Sequence, residues 1–303
     1  MRLTTAVGFV LCAPGSVLAN EGPHAFVYGP SAWDVATLIG LFAAAGLYLW
    51  GGRRMRMAGG RVRLVERASF WAGWAALVAA VAPWMDRAAS LRLSSHMVQH
   101  ELMMLVGAPL LMAGRPIVPW LWAFPPRVRQ RMGAGLGSPV VHPLWMWLTA
   151  PVVAWTLHGA AVWVWHLPVL YEAAVESEAV HALQHATFVG TAALFWWGLV
   201  YGRYGRAAYG ASALFVFTTM VHTGVLGAFF ALSSRPFYGV YQDRAAVAGV
   251  DATIDQQLAG LYMWIPAGLI LTAFGLSLLV AWLAESERRA EADKRMAALA
   301  PLE

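Results

Sequence analysis

Two pairs of histidines stand four residues apart within apolar stretches of the chain: His96 with His100, and His181 with His185. This spacing places both imidazoles of a pair on one face of an α-helix, one above the other. Neutral imidazole is a common ligand of zinc, copper and haem iron. Because an ionisable group inside a bilayer costs about 3 kcal/mol and normally faces an interior site, the two pairs predict a functional site that handles a metal.

Further residues complete the set of candidate metal ligands. We expect two histidines to act as deeper ligands, and two methionine thioethers to favour Cu(I). Two carboxylates, again four residues apart, either bind the metal directly or hold an imidazole in one tautomer. These residues are His158, His222, Met103, Met104, Asp251 and Asp255.

The other three histidines, His24, His142 and His166, are predicted to be bystanders. His24 and His166 fall at the outer ends of apolar segments, and His142 falls on the opposite side. At such positions a histidine commonly lies at the interface or bonds a backbone carbonyl. Burial is therefore not expected for these three side chains.

The elements that must position these side chains are apolar helices. The 303-residue chain is 59% hydrophobic and 12% charged, about half the charged share of a soluble domain. Its apolar runs predict an all-α fold, a polytopic membrane protein whose seven transmembrane helices form one bundle over residues 20–284. The predicted spans are Ala32–Trp50, Ala68–Trp84, Leu93–Met112, Leu144–Trp165, Val180–Val200, Ala211–Leu232 and Leu258–Leu283.

The basic residues alternate between the loops and indicate an orientation. One set of loops, with the C-terminal tail of residues 285–303, carries sixteen Lys and Arg; the other set carries four. The excess belongs on the cytoplasmic side, which puts the N-terminus outside and the histidine pairs near the outer face of the plasma (inner) membrane. Because this rule explains the arginines, we do not expect a nucleic-acid partner. We expect contact with membrane lipid.

The N-terminal segment has the pattern of a cleaved signal peptide over residues 1–19. A basic start precedes a short apolar run and small residues at the cut site, ending in Ala19. The one cysteine, Cys12, lies in this segment. Cleavage would leave a mature chain without thiols, so any copper site would use histidine and methionine.

Five motifs lie along the third to seventh predicted spans: HMVQHELMM at His96–Met104, VWHLP at Val164–Pro168, HALQH at His181–His185, DQQLAG at Asp255–Gly260 and MWIP at Met263–Pro266. Together they resemble the multi-span CtaG-type cytochrome c oxidase assembly factors. The resemblance implies a seven-span protein needed for an active haem–copper oxidase, with oxidase subunits as partners. The histidines and methionines add a hypothesis of their own: a non-enzymatic chaperone that takes copper from outside the membrane, from a periplasmic donor, and passes it to the oxidase.

Two other functions fit the same residues. Paired histidines on separate helices can clamp a b-type haem in an electron carrier. Three ligands and an activated water would instead make a membrane-embedded zinc hydrolase, with Asp255 or Glu101 as its general base.

Overall fold

The computed structural model describes residues 31–201 and 208–299, and every regular element within them is helical. The predicted signal peptide, Cys12 and His24 lie outside the described residues. Fourteen α-helices and one π-helical segment (Leu102–Gly107) follow one another. The α-helices are α1 (Ala32–Met57), α2 (Leu64–Ala80), α3 (Pro83–Leu91), α4 (Leu93–Glu101), α5 (Ala108–Ala113), α6 (Ile117–Trp122), α7 (Pro126–Leu136), α8 (Val141–Leu148), α9 (Pro151–Trp165), α10 (Pro168–Glu176), α11 (Glu178–Tyr201), α12 (Ala208–Leu232), α13 (Val240–Val247) and α14 (Ala252–Leu299).

Several helices are long and apolar enough to cross a membrane. Among the described residues they are Ala32–Met57, Gly210–Leu232 and Ala252–Ala292. Two bent pairs bring the number to five if each pair is one span: α2 with α3, bent by 49°, and α8 with α9, bent by 65°. This is a membrane protein with three to five candidate spans by length and composition.

Two more helical runs coincide with the predicted third and fifth spans. Residues 93–113 form one run, in which α4, the π-helical segment and α5 follow without a break. The other run is α11, of 24 residues. Both are long enough to cross a bilayer, but both carry histidine and glutamine, which lower their mean hydropathy.

The π-helical segment changes the face that follows His100. A π-helix widens the turn by about one residue, so the side chains after it are displaced from ordinary helical spacing. Met103 is buried beside Leu77, Ala80 and Val81 of the α2 side. Met104 joins the opposite core, around Phe188 and Trp196, and its carbonyl accepts a hydrogen bond from the Trp196 indole at 2.9 Å.

Helices α12 and α14 pack closely through glycines. A Cβ on Gly227 would lie 2.8 Å from the carbonyl oxygen of Gly260, and a Cβ on Gly260 would meet the backbone of Ala231 and Gly227. Small residues allow the backbones of membrane helices to approach. This contact holds α14 against α12 and thereby sets the position of Asp255 and Met263 along the axis of the helices.

Two regions outside the predicted spans are helical. Residues 116–142, which join the predicted third and fourth spans, contain α6 and α7, and Pro119 of α6 packs against Gly51 of α1. The charged tail continues the last span, since α14 runs unbroken for 48 residues. The helix therefore crosses the predicted boundary at residues 284 and 285.

Candidate metal centre

Four histidines from two helices meet at one point inside the bundle. We call this group the outer cluster; it consists of His96 and His100 of α4 with His181 and His185 of α11. The two pairs face each other, with ring centroids 5.1 Å apart for His96 and His181 and 5.3 Å apart for His100 and His185. Each residue offers a ligand atom within 4.8 Å of those of the others.

The outer cluster is close to the dimensions of a four-coordinate metal site. Metal–nitrogen bonds of about 2.0–2.1 Å place the nitrogens of a tetrahedral site roughly 3.3 Å apart. The cluster reaches that spacing if its ligand-atom separations, which are at most 4.8 Å, shorten by up to about 1.5 Å. His96 and His100 are 2% and 1% exposed, and burial favours the neutral imidazole that binds metals.

A tyrosine from another element fixes the tautomer of His96. The Tyr241 hydroxyl lies 2.8 Å from His96 Nδ1 and donates its one proton to the Ala89 carbonyl oxygen at 2.8 Å. It must therefore accept from Nδ1–H, which leaves the lone pair on Nε2. Burial raises the pKa of the Tyr241 phenol, so it stays protonated at neutral pH. His96 Nε2 is itself buried and has no hydrogen-bond partner among the described residues.

Asp255 positions the start of α4, two residues before the first histidine of the cluster. Its carboxylate is 4% exposed and accepts hydrogen bonds from the Ser94 backbone N–H, at 3.3 Å, and from the Ser94 hydroxyl. The Asp255 carboxylate thus supports the backbone of α4 near His96. The hydrogen bond that fixes the His96 tautomer is made by Tyr241 and not by Asp255. Asp251 is exposed, and its Oδ1 caps α14 by accepting from Ile254 N–H at 2.9 Å.

A polar cavity of about 270 Å³ leads to the cluster from one end of the bundle. We call it the entrance cavity. His96 and His181 line its floor, and Tyr241 and Arg244 line it as well. Its carboxylates come from four places in the chain: Asp34, Asp86, Glu176 and Glu178. An excess of carboxylates attracts cations, so the entrance cavity favours the approach of a metal ion to the cluster.

The two histidines predicted to be deeper ligands lie in different places. His158 is buried and lines a small cavity next to His100. His222 packs beside Gly159 and Trp155, and its Nδ1 accepts a hydrogen bond from the Trp163 indole at 3.3 Å. In the neutral ring the proton then resides on Nε2, so His222 presents no lone pair.

The predicted bystanders and methionines are also separated by the structure. His142 is exposed, as expected of a bystander. His166 is 8% exposed, so the expectation that it lies unburied is wrong, although its Nδ1 does donate to a carbonyl, that of Val162 at 2.6 Å. Met104 lines the cavity that contains His100, whereas Met103 faces α2 and α11.

The chain also matches a known protein family over most of its length. The family model described as cytochrome c oxidase caa3 assembly factor matches residues 46–285. The chain belongs to this family. Searches of curated proteins and of solved structures return no match.

Residues 46–285 of this caa3 assembly factor family member contain the whole candidate metal centre. Both histidine pairs, Tyr241 and Asp255 fall within residues 46–285. Two of these features carry a sequence signal: the pairs by their spacing, and Asp255 by its place at the start of an apolar run. Tyr241 carries none, because it meets His96 across 145 residues of chain.

Proposed function

We propose that this family member binds copper at the outer cluster and aids its delivery to a haem–copper cytochrome c oxidase. One observation carries the proposal: four imidazoles, those of His96 and His100 buried and those of His181 and His185 partly buried, present ligand atoms within 4.8 Å of one another. Imidazole nitrogens suit copper in either common oxidation state. Membership of an oxidase assembly family supplies the recipient, because such an oxidase contains copper centres that must be filled.

The proposed role is that of a chaperone. Copper is its cargo, the oxidase subunits are its partners, and a periplasmic donor would supply the ion through the entrance cavity. Tyr241 supports this role, since a hydrogen bond to the second ring nitrogen orients a ligating histidine and raises its basicity.

The packing of the imidazoles favours a bare ion over haem. A haem clamped by two histidines needs a flat macrocycle between them, perpendicular to the bonds from iron. In the outer cluster the rings of the two helices contact one another edge to face, with centroids 5.1–5.3 Å apart. No gap of porphyrin size separates them.

The placement of Asp255 and Glu101, the two predicted general bases, argues against either of them serving a zinc hydrolase. Such an enzyme needs a general base within hydrogen-bond reach of the metal-bound water. Asp255 is engaged by Ser94, and Glu101 lines the small cavity on the far side of His100. The metal-ligand group found among the described residues consists of histidines alone.

The proposal includes a topology of seven spans in the plasma (inner) membrane, with the N-terminus outside and the C-terminus in the cytoplasm. The entrance cavity is lined by Ser31 and Asp34 at the start of α1, whereas Arg54 and Arg56 lie in the last turn of that helix. The cluster therefore lies toward the end of the bundle opposite these arginines. By the charge rule that end is the outer one, where copper would arrive.

The function is tested in a strain that carries only the His100→Ala/His185→Ala double variant. We expect oxidase activity to fall by about tenfold or more, the scale of losses at disrupted metal sites, while the protein still accumulates in the membrane. Added copper should restore part of the activity. Normal oxidase activity in this strain would refute the proposal.

The matched control is His142→Ala, which removes an exposed histidine far from the cluster. It should leave oxidase activity unchanged. Metal analysis and a visible spectrum of the purified protein separate the alternatives: copper without a Soret band supports the proposal, and a Soret band supports a haem carrier.

A further inference from the structure

A second, smaller cavity lies directly beyond the outer cluster. It has a volume of about 30 Å³, which holds one or two water molecules or a metal ion. We call it the inner chamber. His100 lines it while also belonging to the outer cluster, so one ring separates the two. The polar and sulfur-containing side chains that line it with His100 include Glu101, His158, His166, Met97, Met104 and Met263.

Both further histidines of the inner chamber are held in a ligand-ready tautomer. His166 Nδ1 can only donate to the Val162 carbonyl, at 2.6 Å. His158 Nδ1 lies 3.2 Å from the Thr191 hydroxyl, whose proton goes to the Thr187 carbonyl, so Nδ1–H is again the donor. In each ring the lone pair is left on Nε2, the pattern of metal-binding histidines.

Polar atoms in the chamber lack the partners that burial normally requires. His166 Nε2, Glu101 Oε2 and both ring nitrogens of His100 are buried without a hydrogen-bond partner among the described residues. Burying such an atom is unfavourable if nothing binds it. Their grouping in one cavity indicates that the chamber is built to hold something polar.

The chemistry of the lining selects among the candidates. Three buried methionines offer thioether sulfur, which favours Cu(I) over zinc and over hard cations. Glu101 is the one carboxylate lining the chamber within the described part of the chain. A monovalent ion with one carboxylate forms a neutral pair, which lowers the cost of burying the charge.

We infer that the inner chamber is a second copper site, specific for Cu(I), with His158, His166 and the three methionines as its ligands and Glu101 as its counter-charge. The inference rests on copper being the cargo of the proposed function. A neutral imidazole has one lone pair, so His100 serves the outer cluster or the chamber, one at a time. Copper bound in the cluster thus has a neighbouring site deeper in the membrane.

The test is an anaerobic titration of the purified full chain in detergent with Cu(I), against a chromophoric Cu(I) chelator. The wild-type chain should bind two equivalents, and X-ray absorption should show both sulfur and nitrogen ligands. Met97→Leu/Met104→Leu/Met263→Leu removes all three sulfur ligands, keeps the side-chain volume and should bind one equivalent with nitrogen ligands only. His181→Gln/His185→Gln should keep one equivalent with sulfur ligands.

The matched control is Met85→Leu, which changes a buried methionine that lines neither cavity; it should bind two equivalents. One equivalent in the wild-type chain, a spectrum without sulfur, or two equivalents in Met97→Leu/Met104→Leu/Met263→Leu would each overturn the second site. Because the readout is copper bound in vitro, these results are independent of the oxidase activity that tests the proposed function.

Discussion

The outer cluster and the inner chamber share His100 but differ in almost every other property. The cluster opens to a polar cavity of about 270 Å³ and offers nitrogen alone. The chamber is about 30 Å³, offers sulfur as well, and contains a carboxylate. A nitrogen site beside a large polar cavity suits capture and exchange, whereas a small cavity that offers sulfur suits retention of Cu(I). If both sites bind copper as proposed, this difference indicates that the ion moves from the entrance cavity through the outer cluster to the inner chamber.

The largest expected effect comes from the helix contact on which both regions depend. Gly260→Leu places a side chain against the backbone of α12, while α14 carries both Asp255 and Met263. Overpacking of this kind costs about 1–3 kcal/mol or more, so we expect the variant to accumulate poorly and bind copper at neither site. Membrane-fraction immunoblots and thermal unfolding measure the loss.

Gly268→Leu is the control on the same helix, because a Cβ there meets nothing within 4 Å. It should accumulate and bind copper like the wild-type chain. Equal behaviour of the two variants would show that the Gly227–Gly260 contact does not set the height of α14.

A smaller effect should separate the two regions. Tyr241→Phe removes the oxygen that accepts from His96 Nδ1 and leaves the inner chamber intact. Loss of such a partner lowers metal affinity by about 10–100-fold, so the outer site should weaken by that factor while sulfur-bound copper remains. Competition titrations with Cu(I) chelators of graded strength measure it.

Tyr48→Phe serves as the comparison, since the Tyr48 hydroxyl is buried with no hydrogen-bond partner among the described residues. Its affinity for copper should match the wild type. An unchanged outer site in Tyr241→Phe would mean that the phenol does not orient His96.

The smallest effect concerns the support of α4. Asp255→Asn weakens the contacts with Ser94 and should lower stability by about 1–3 kcal/mol, with a few-fold loss of affinity at the outer site. Asp251→Asn removes charge from an exposed helix cap, and asparagine caps about as well as aspartate. Thermal unfolding of the pair compares the two carboxylates, and equal midpoints would contradict a supporting role for Asp255.

The parts of the site that sequence could predict are those governed by local spacing. His96 with His100, and His181 with His185, lie on common helix faces because four residues nearly complete one turn. The apolar runs likewise predicted an all-helical membrane protein, and the motifs predicted the family that matches residues 46–285.

The parts that sequence could not predict depend on contacts between distant segments or on local departures from α-helix. Tyr241 reaches His96 across 145 residues, and Asp255 reaches Ser94 across 161. The burial of His166 follows from how α9 packs, which a position near a span end does not reveal. Regular spacing would also place Met103 on the helix face of His96 and His100, whereas Met103 packs beside Leu77, Ala80 and Val81 and Met104 joins the core around Phe188.

The π-helical segment also changes the direction in which side chains point along residues 93–113, which pack against different partners at their two ends. The residues before the segment must direct His96 and His100 toward α11. The residues from Gly107 onward must place Gly107 against Leu77 and Gly114 against Phe70. A uniform α-helix advances about 100° per residue, so removing one residue would satisfy one half and turn the other away. Because of the extra residue in the turn, one continuous helical run contributes histidines to the outer cluster at one end and packs closely against α2 at the other.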